Sequence, residues 1–374
     1  MKKIQMVDLQ TQYRHIKQDI DAGIQEVIDS AAFIKGKKVT EFQEHLEQYT
    51  GAGHVIPVGN GTDALQIALM GLGLKAGDEV ITPTFTFIAT AEVVALLGLT
   101  PVVVDVEWET MNMDINAVRR AITPRTKAIV PVHLFGQCAD MEPLMQLAHK
   151  HHLYVVEDAC QAIGAQYTFD DGETKQAGTI GDIGCTSFFP SKNLGCYGDG
   201  GAIFTNNDDL AARMRAIANH GMVVRYHHDM IGVNSRLDSI QAAVLDAKLP
   251  HLDDYIAARR RAAAYYDKAF EGNSKLLIPG RQTRSTHVFH QYTLRVIGAD
   301  RDRLREGLAQ RGIPAMIYYP VPLHRQKAYL DPRYHDGDFP VAEKLAGCVL
   351  SLPMHTELDE EQLAFITSAV LELV

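Results

Sequence analysis

The chain has few cysteines, no basic surplus and no long apolar run, and each shortage excludes something. Its 374 residues hold five cysteines, Cys138, Cys160, Cys185, Cys196 and Cys348, an odd number with no C-x-x-C pair. Neither a disulfide framework nor a zinc site is indicated, and free thiols suit a reducing cytoplasm. The formal net charge is -10, so no general nucleic-acid or membrane-surface role is expected. An anionic ligand would need local cations instead. The apolar run Val93 to Leu99 is far short of a bilayer span. Met1 to Asp8 is basic without an apolar core behind it, so no signal peptide is expected. Adjacent histidines at His227 and His228 have the wrong spacing for two ligands on one helix face, and no metal is expected. Neither a P-loop nor a dinucleotide fingerprint is present. Gly71-Leu72-Gly73 ends a helical pattern rather than following a strand, which disfavours a nicotinamide-dependent dehydrogenase.

What the chain does have is apolar mass and rhythm. It is 46% hydrophobic, enough for a large core and two domains. An irregular arm leads into helices over residues 1 to 50, where Ile16, Ile20, Ile24 and Ile28 recur on one helix face. His54 to Val58 reads as a strand, followed by the turn Gly59-Asn60-Gly61-Thr62-Asp63 and a helix. Such a turn either presents free N–H groups to a phosphate or is an ordinary helix start capped by Thr62 or Asp63. From 79 to 205 strands alternate with helices, with strands at 80–82, 102–105, 128–132, 154–156 and 202–204. This rhythm predicts a largely parallel sheet covered on both faces, with ligands beyond the carboxyl ends of its strands. The last hundred residues read as a smaller α/β domain, with strands near 288–297 and 315–319. The run Arg259-Arg260-Arg261 reads as a solvated helix face.

Chemistry concentrates at Ser187-Phe188-Phe189-Pro190-Ser191-Lys192-Asn193-Leu194-Gly195. Lys192 has apolar neighbours and no other charge before Asp199. A lysine held against apolar surface shifts its pKa down and becomes a usable nucleophile toward an aldehyde cofactor. Asp158 follows a strand, where it either caps a turn or holds a pyridinium nitrogen protonated. Phe85 and Phe87 are core residues or a stacking surface, and Gln161 is structural or a partner of a ring substituent. Arg225, His227, His228 and Arg236 form either a solvated loop or a local positive field for an anion.

Taken together the motifs resemble the DegT/DnrJ/EryC1/StrS family of sugar aminotransferases. The likeness runs through Asn60-Gly61-Thr62-Asp63-Ala64-Leu65, the segment Pro83 to Thr90, Glu157-Asp158-Ala159-Cys160-Gln161, Ser187 to Lys192, Gly198-Asp199-Gly200-Gly201 and Gly232 to Leu237. It implies an α/β protein of the pyridoxal-phosphate transferase fold type I, like aspartate aminotransferase. Expected are a large, mainly parallel sheet domain at 1–249, with the N-terminal arm, and a small C-terminal domain at 250–374. It implies a cytoplasmic enzyme with pyridoxal 5′-phosphate as cofactor and pyridoxamine 5′-phosphate as its intermediate form.

The resemblance also implies roles. Lys192 looks like the Schiff-base lysine and proton shuttle, Asp158 the partner of the ring nitrogen and Gln161 that of the ring hydroxyl. Gly61, Thr62 and Ser187 match phosphate-binding positions, and Phe87 the aromatic over the ring. Asn234 matches a residue reaching the phosphate from the other subunit of a homodimer, whose active sites would lie at the interface. Cys160 stands where alanine is frequent. The amino donor implied is L-glutamate and the acceptor a nucleotide-linked ketosugar. Arg225 to His228, Cys185 to Asn206 and Leu352 to His355 resemble most the subgroup that aminates UDP-2-acetamido-2-deoxy-3-oxo-D-glucuronate for surface polysaccharide (O-antigen). Arg236, Arg225, His228, Tyr318 and Tyr319 are then candidate substrate contacts. Tyr318-Tyr319-Pro320 departs from that subgroup's His-Tyr-Pro. Alternatives are a dTDP- or UDP-linked neutral 3- or 4-ketohexose as substrate, or a non-catalytic cofactor-binding regulator, whose mark would be loss of the lysine or aspartate.

Overall fold

The computed structural model describes residues 3–374. Met1 and Lys2, part of the segment considered for a signal and of the expected arm, lie outside the described residues. A seven-stranded sheet forms the larger part. In chain order its strands are β1 (His54–Val58), β2 (Glu79–Pro83), β3 (Thr100–Val104), β4 (Thr126–Ile129) and β5 (Tyr154–Asp158). A small hairpin, β6 (Gln166–Thr168) and β7 (Thr174–Gln176), precedes β8 (Ile183–Ser187) and β9 (Gly201–Thr205). The spatial order is β1-β9-β8-β5-β4-β2-β3. Pairings from β3 through β8 are parallel, and only β9 runs antiparallel to its neighbours β8 and β1. The carboxyl ends of β1, β2, β5 and β8 therefore share one edge. Each is followed by a segment that the sequence marks as chemical.

Neighbouring strand residues face opposite sides. Ile81, Ile129 and Val155 pack with the helices Lys37–Thr50, Met141–His151 and Ser239–Lys248, while Val80, Ala128 and Val156 pack with the helices Gly61–Gly71, Ala89–Leu96 and Asp208–Ile217. Both faces are thus covered, as the alternation of strands and helices requires. The C-terminal part is an antiparallel sheet of β10 (Leu276–Leu277), β11 (Tyr292–Val296) and β12 (Val349–Leu352). It is backed by the helices Arg301–Gln310 and Glu360–Leu373, and Ile4 of the arm joins this core. The helix Leu252–Phe270 serves both cores. Leu252 and Ile256 belong to the first, Ala262, Ala263, Tyr266 and Phe270 to the second. No helix of the described residues is long and apolar enough to cross a membrane.

Four local expectations are corrected. The helix at Gly61 is capped by Asn60, whose Oδ1 accepts the Asp63 N–H at 2.8 Å, and not by Thr62 or Asp63. Residues 315–319 form no strand. Met316 makes one two-bond bridge with Ser351, and the chain then turns away at Tyr318. Arg259 is buried, not solvated. Its guanidinium donates to the carbonyls of Phe289 (3.1 Å), His290 (3.4 Å) and Met354 (3.0 Å). Finally, a repeat of four drifts about 40° per step on a 3.6-residue helix. Ile16 and Ile20 are buried, but Ile28 is 48% exposed and Val27 takes its place.

Ile20→Ala is therefore expected to cost about 2–4 kcal/mol, and Ile28→Ala less than about 1 kcal/mol. The midpoints of urea unfolding check the contrast.

Candidate active site

The turn carrying Lys192 closes on itself. Past β8, the Phe188 N–H donates to the Gly200 carbonyl, the Lys192 N–H to the Phe189 carbonyl and the Cys196 N–H to the Phe188 carbonyl, each at 2.8 Å. The Phe188 ring is buried edge-on against Phe42, with centroids 5.4 Å apart. Asn193 Nδ2 reaches across to the Val288 carbonyl at 2.9 Å. A side chain at Gly195 would place its Cβ 2.4 Å from the Pro190 oxygen, so glycine is required there. Among the described residues the Lys192 ammonium has no hydrogen bond or ion pair. Burial pushes its pKa down, against the opposing pull of Cys160 and Asp158. An amine with lowered pKa and no partner is a nucleophile in waiting.

Asp158 ends β5, and its carboxylate is oriented by two donors. Thr90 Oγ1 donates to Oδ2 at 2.8 Å and the Cys160 N–H to Oδ1 at 3.2 Å. Its neighbour Glu157 is fully buried and anchors the strand from the opposite face. Glu157 accepts N–H bonds from Gly178 (2.8 Å), Ile180 (2.6 Å) and Gly181 (2.6 Å). His133 Nδ1 accepts the Ala139 N–H at 3.1 Å, so its proton sits on Nε2 and is donated to Glu157 at 2.8 Å. The His133 N–H then donates to the Asp158 carbonyl at 3.0 Å. The aspartate is held through main chain and side chain alike.

The turn after β1 lies against these groups. A Cβ on Gly61 would fall 2.8 Å from Ser187 Cβ and 2.9 Å from the Cys160 sulfur, so only glycine lets the turn approach so closely. Among the described residues the N–H groups of Gly61 and Thr62 find no partner. They open the helix Gly61–Gly71 and form an anion cradle. Ser235 ties a remote segment to this turn. Its hydroxyl accepts the Gly59 N–H at 2.9 Å and donates to Asp63 Oδ2 at 2.7 Å. On either side of Ser235 in the chain, Asn234 is exposed and Arg236 half-buried.

Gln161 and the aromatics make the remaining wall. Gln161 Oε1 accepts the Phe135 N–H at 2.7 Å, and Nε2 donates to the Tyr319 hydroxyl at 3.1 Å. Tyr319 stands 6.1 Å from Phe85 and 6.3 Å from Phe87, centroid to centroid, and Phe87 is half exposed. Tyr318 is next to Tyr319 and partly buried. The structure brings Gly61, Thr62, Phe87, Asp158, Gln161, Ser187, Lys192 and Tyr319 to one sheet edge. It does not bring Arg225 or His228 there. Both lie on the exposed excursion 222–231, where Arg225 stacks on Tyr226 and His228 Nδ1 bonds the His220 carbonyl at 2.8 Å.

Three residues at the site were missed by reasoning from sequence. Thr90 lies 68 residues from the carboxylate it orients, and Ser235 lies 172 from Asp63. His290 is buried, its Nδ1 has no partner among the described residues, and burial holds its pKa well below the ordinary value, with Lys192 and Arg259 adding to the effect. No local pattern marks any of the three.

Comparison with known proteins agrees with this geometry. The profile of the DegT/DnrJ/EryC1/StrS aminotransferase family matches residues 14–371. UDP-2-acetamido-2-deoxy-3-oxo-D-glucuronate aminotransferase of Pseudomonas aeruginosa is 46% identical over 98% of this chain and 99% of that protein. UDP-N-acetyl-3-dehydro-alpha-D-glucosamine 3-aminotransferase of Acidithiobacillus ferrooxidans is also 46% identical, over 98% and 97%. The crystal structure of DesV from S. venezuelae, in complex with a ketimine intermediate, superposes with a TM-score of 0.95. It is 40% identical and covers 100% of this chain and 98% of its own.

Competitive acetylation of the cofactor-free protein across pH is expected to give Lys192 a labelling midpoint below that of surface lysines. Because the Asp158 charge raises the Lys192 pKa, Asp158→Asn moves the midpoint lower still. A midpoint equal to that of surface lysines contradicts the burial argument.

Proposed function

Because the chain belongs to the DegT/DnrJ/EryC1/StrS aminotransferase family, we propose that it moves an amino group from L-glutamate to UDP-2-acetamido-2-deoxy-3-oxo-D-glucuronate. The observation that carries the reading is the unpartnered Lys192 amine at the same sheet edge as Asp158 and the Gly61 cradle. The fold is that of the pyridoxal-phosphate-dependent aminotransferases. The residues fit pyridoxal 5′-phosphate on their own evidence. There is an orphan amine for its aldehyde, an oriented carboxylate for its ring nitrogen and, at Gly61 and Thr62, two N–H groups without partners among the described residues for its phosphate. When bound, this group supplies an aldehyde and a ring that takes up the electrons released at the substrate carbon.

The protein's part is positioning and proton transfer. The lowered pKa keeps a fraction of Lys192 unprotonated, so its Nζ can take a proton from the donor's carbon and return one to the acceptor. Asp158 holds a positive charge on the ring nitrogen, with Thr90 and Cys160 N–H keeping both of its oxygens in place. Gln161 has spent Oε1 and one N–H, and its second N–H is left for the ring hydroxyl. Thr62 N–H, Gly61 N–H and the Ser187 hydroxyl take the phosphate. Phe87 covers the ring and excludes water. Asn234 acts on the partner's phosphate in a homodimer, and the excursion with Arg225 and His228 serves the partner's site. Arg236, Tyr318 and Tyr319 contact the sugar nucleotide. The product belongs to the supply of amino uronates for surface polysaccharide, in a cytoplasm that suits five free thiols.

A second reading, amination of a neutral UDP-linked 3-ketosugar, is supported by the equal 46% identity to the glucosamine 3-aminotransferase. Tyr318 at the position expected to be histidine favours it too.

The purified protein with pyridoxal phosphate is expected to show a visible absorption band that L-glutamate bleaches and that Lys192→Ala lacks. The 3-oxo-uronate should restore the bleached band at least about 10-fold faster than the neutral 3-ketosugar. The reverse ranking selects the second reading, and no band in the wild-type protein refutes both.

A further inference from the structure

A second buried lysine holds the Lys192 turn from behind. Lys248 closes the helix Ser239–Lys248 and is 1% exposed. Its ammonium meets no carboxylate among the described residues. It donates to the Gly195 carbonyl at 2.7 Å and lies 4.5 Å from the centroid of the Tyr197 ring. Burial pushes its pKa down to about 8. A cation so placed contributes little to stability, because desolvation offsets what one carbonyl and one ring return. Replacing a buried polar pair whole by apolar groups is often neutral or favourable, so a buried lysine answering one carbonyl is weak evidence of a stabilising role. Stability therefore does not explain why a lysine stands here.

Its location does. Gly195 is three residues past Lys192, in the turn that closes against the Pro190 oxygen. The same helix holds the next residues. Gln241 Oε1 accepts the Tyr197 N–H at 2.8 Å, and its amide packs over Gly198. On the other side Asn193 is fixed to the Val288 carbonyl. Lys192 thus projects from a segment pinned at Asn193 and at Gly195, while its own ammonium stays free. The helix begins four residues after Ser235, which binds the Gly59–Asp63 turn. The helix therefore holds the Lys192 turn, and the segment that leads into it holds the anion cradle.

We propose that Lys248 is a positioning residue for Lys192, its hydrogen bond to the Gly195 carbonyl fixing where the Lys192 amine stands relative to cofactor and substrate. It touches neither of them. The inference rests on the reading of Lys192 given above. Effective placement of a reacting group is worth orders of magnitude in rate, and a displacement of about 1 Å costs on the order of 100-fold.

The test compares Lys248→Met and Lys248→Arg with the wild-type holoenzyme. Lys248→Met is expected to keep its cofactor and its thermal midpoint. Its half-reaction with L-glutamate should slow at least about 10-fold with little change in glutamate KM. In the cofactor-free protein the acetylation midpoint of Lys192 should rise toward the ordinary lysine value, because a loosened turn admits water to the amine. Lys248→Arg, which keeps a donor, should recover most of the rate. A Lys248→Met enzyme with wild-type rate and an unmoved Lys192 midpoint overturns the proposal. Should that variant not fold, Lys248→Gln, polar but too short to reach Gly195, is judged by the same two readouts. A wild-type protein without a visible band refutes the reading of Lys192 itself and this inference with it. A normal wild-type band with an unaffected Lys248→Met refutes this inference alone.

Discussion

An amine without a counter-ion has to be held where water would otherwise release it, and that requirement shapes the site. Lys192 carries no ion pair among the described residues, and burial lowers its pKa while Cys160 and Asp158 pull the other way. Pairing the ammonium directly with a carboxylate would raise its pKa and keep the nitrogen protonated, with no lone pair free to attack. The protein instead ties down the turn around Lys192 and leaves that side chain alone. Asn193 spends its amide on Val288, Gly195 receives Lys248, and the backbone closes on Phe188 and Phe189. Hydrogen bonds hold the turn on both sides of the one group that has to react.

The sheet supplies the second condition. Parallel strands deliver their carboxyl ends to one edge, so the segments that follow β1, β2, β5 and β8 emerge along it. The antiparallel β9 brings its first residue to the same edge, where a Cβ on Gly201 would fall 2.5 Å from the Asn60 backbone. Glu157 and Asp158 divide the work of adjacent strand residues. One faces inward with four donors and fixes the strand, and the other faces the site. Thr90 and Gln161 then fix side-chain orientation at that edge, the first at Asp158 and the second against the Phe135 N–H.

Much of this was legible in the chain because it is local. The alternation of strands and helices predicts the sheet, and the apolar flanks of Lys192 mark an unusual lysine. The helices at Met141–His151 and Glu360–Leu373 begin and end where their patterns do. What was not legible depends on distant partners. Arg259 sits in a run that reads as solvated, yet three carbonyls from two other segments draw it inward. Lys248 reads as an ordinary helix-ending lysine until Gly195, 53 residues away, arrives above it. Residues 315–319 have strand composition, but only Ser351 is within reach to pair, so one bridge forms and the chain goes on to present Tyr319 to Gln161. The family resemblance implies roles for single residues. It did not reveal the bonds that hold those residues in place.

The central claim is that Lys192 Nζ, among all the amines of this chain, is the nucleophile at the sheet edge. Reduction of the pyridoxal-phosphate-loaded protein with borohydride, followed by digestion and mass mapping of the labelled peptides, tests it most directly. The account predicts one stoichiometric label, on Lys192, with Lys248 and the surface lysines unmodified. A protein labelled elsewhere while Lys192 stays bare would contradict it.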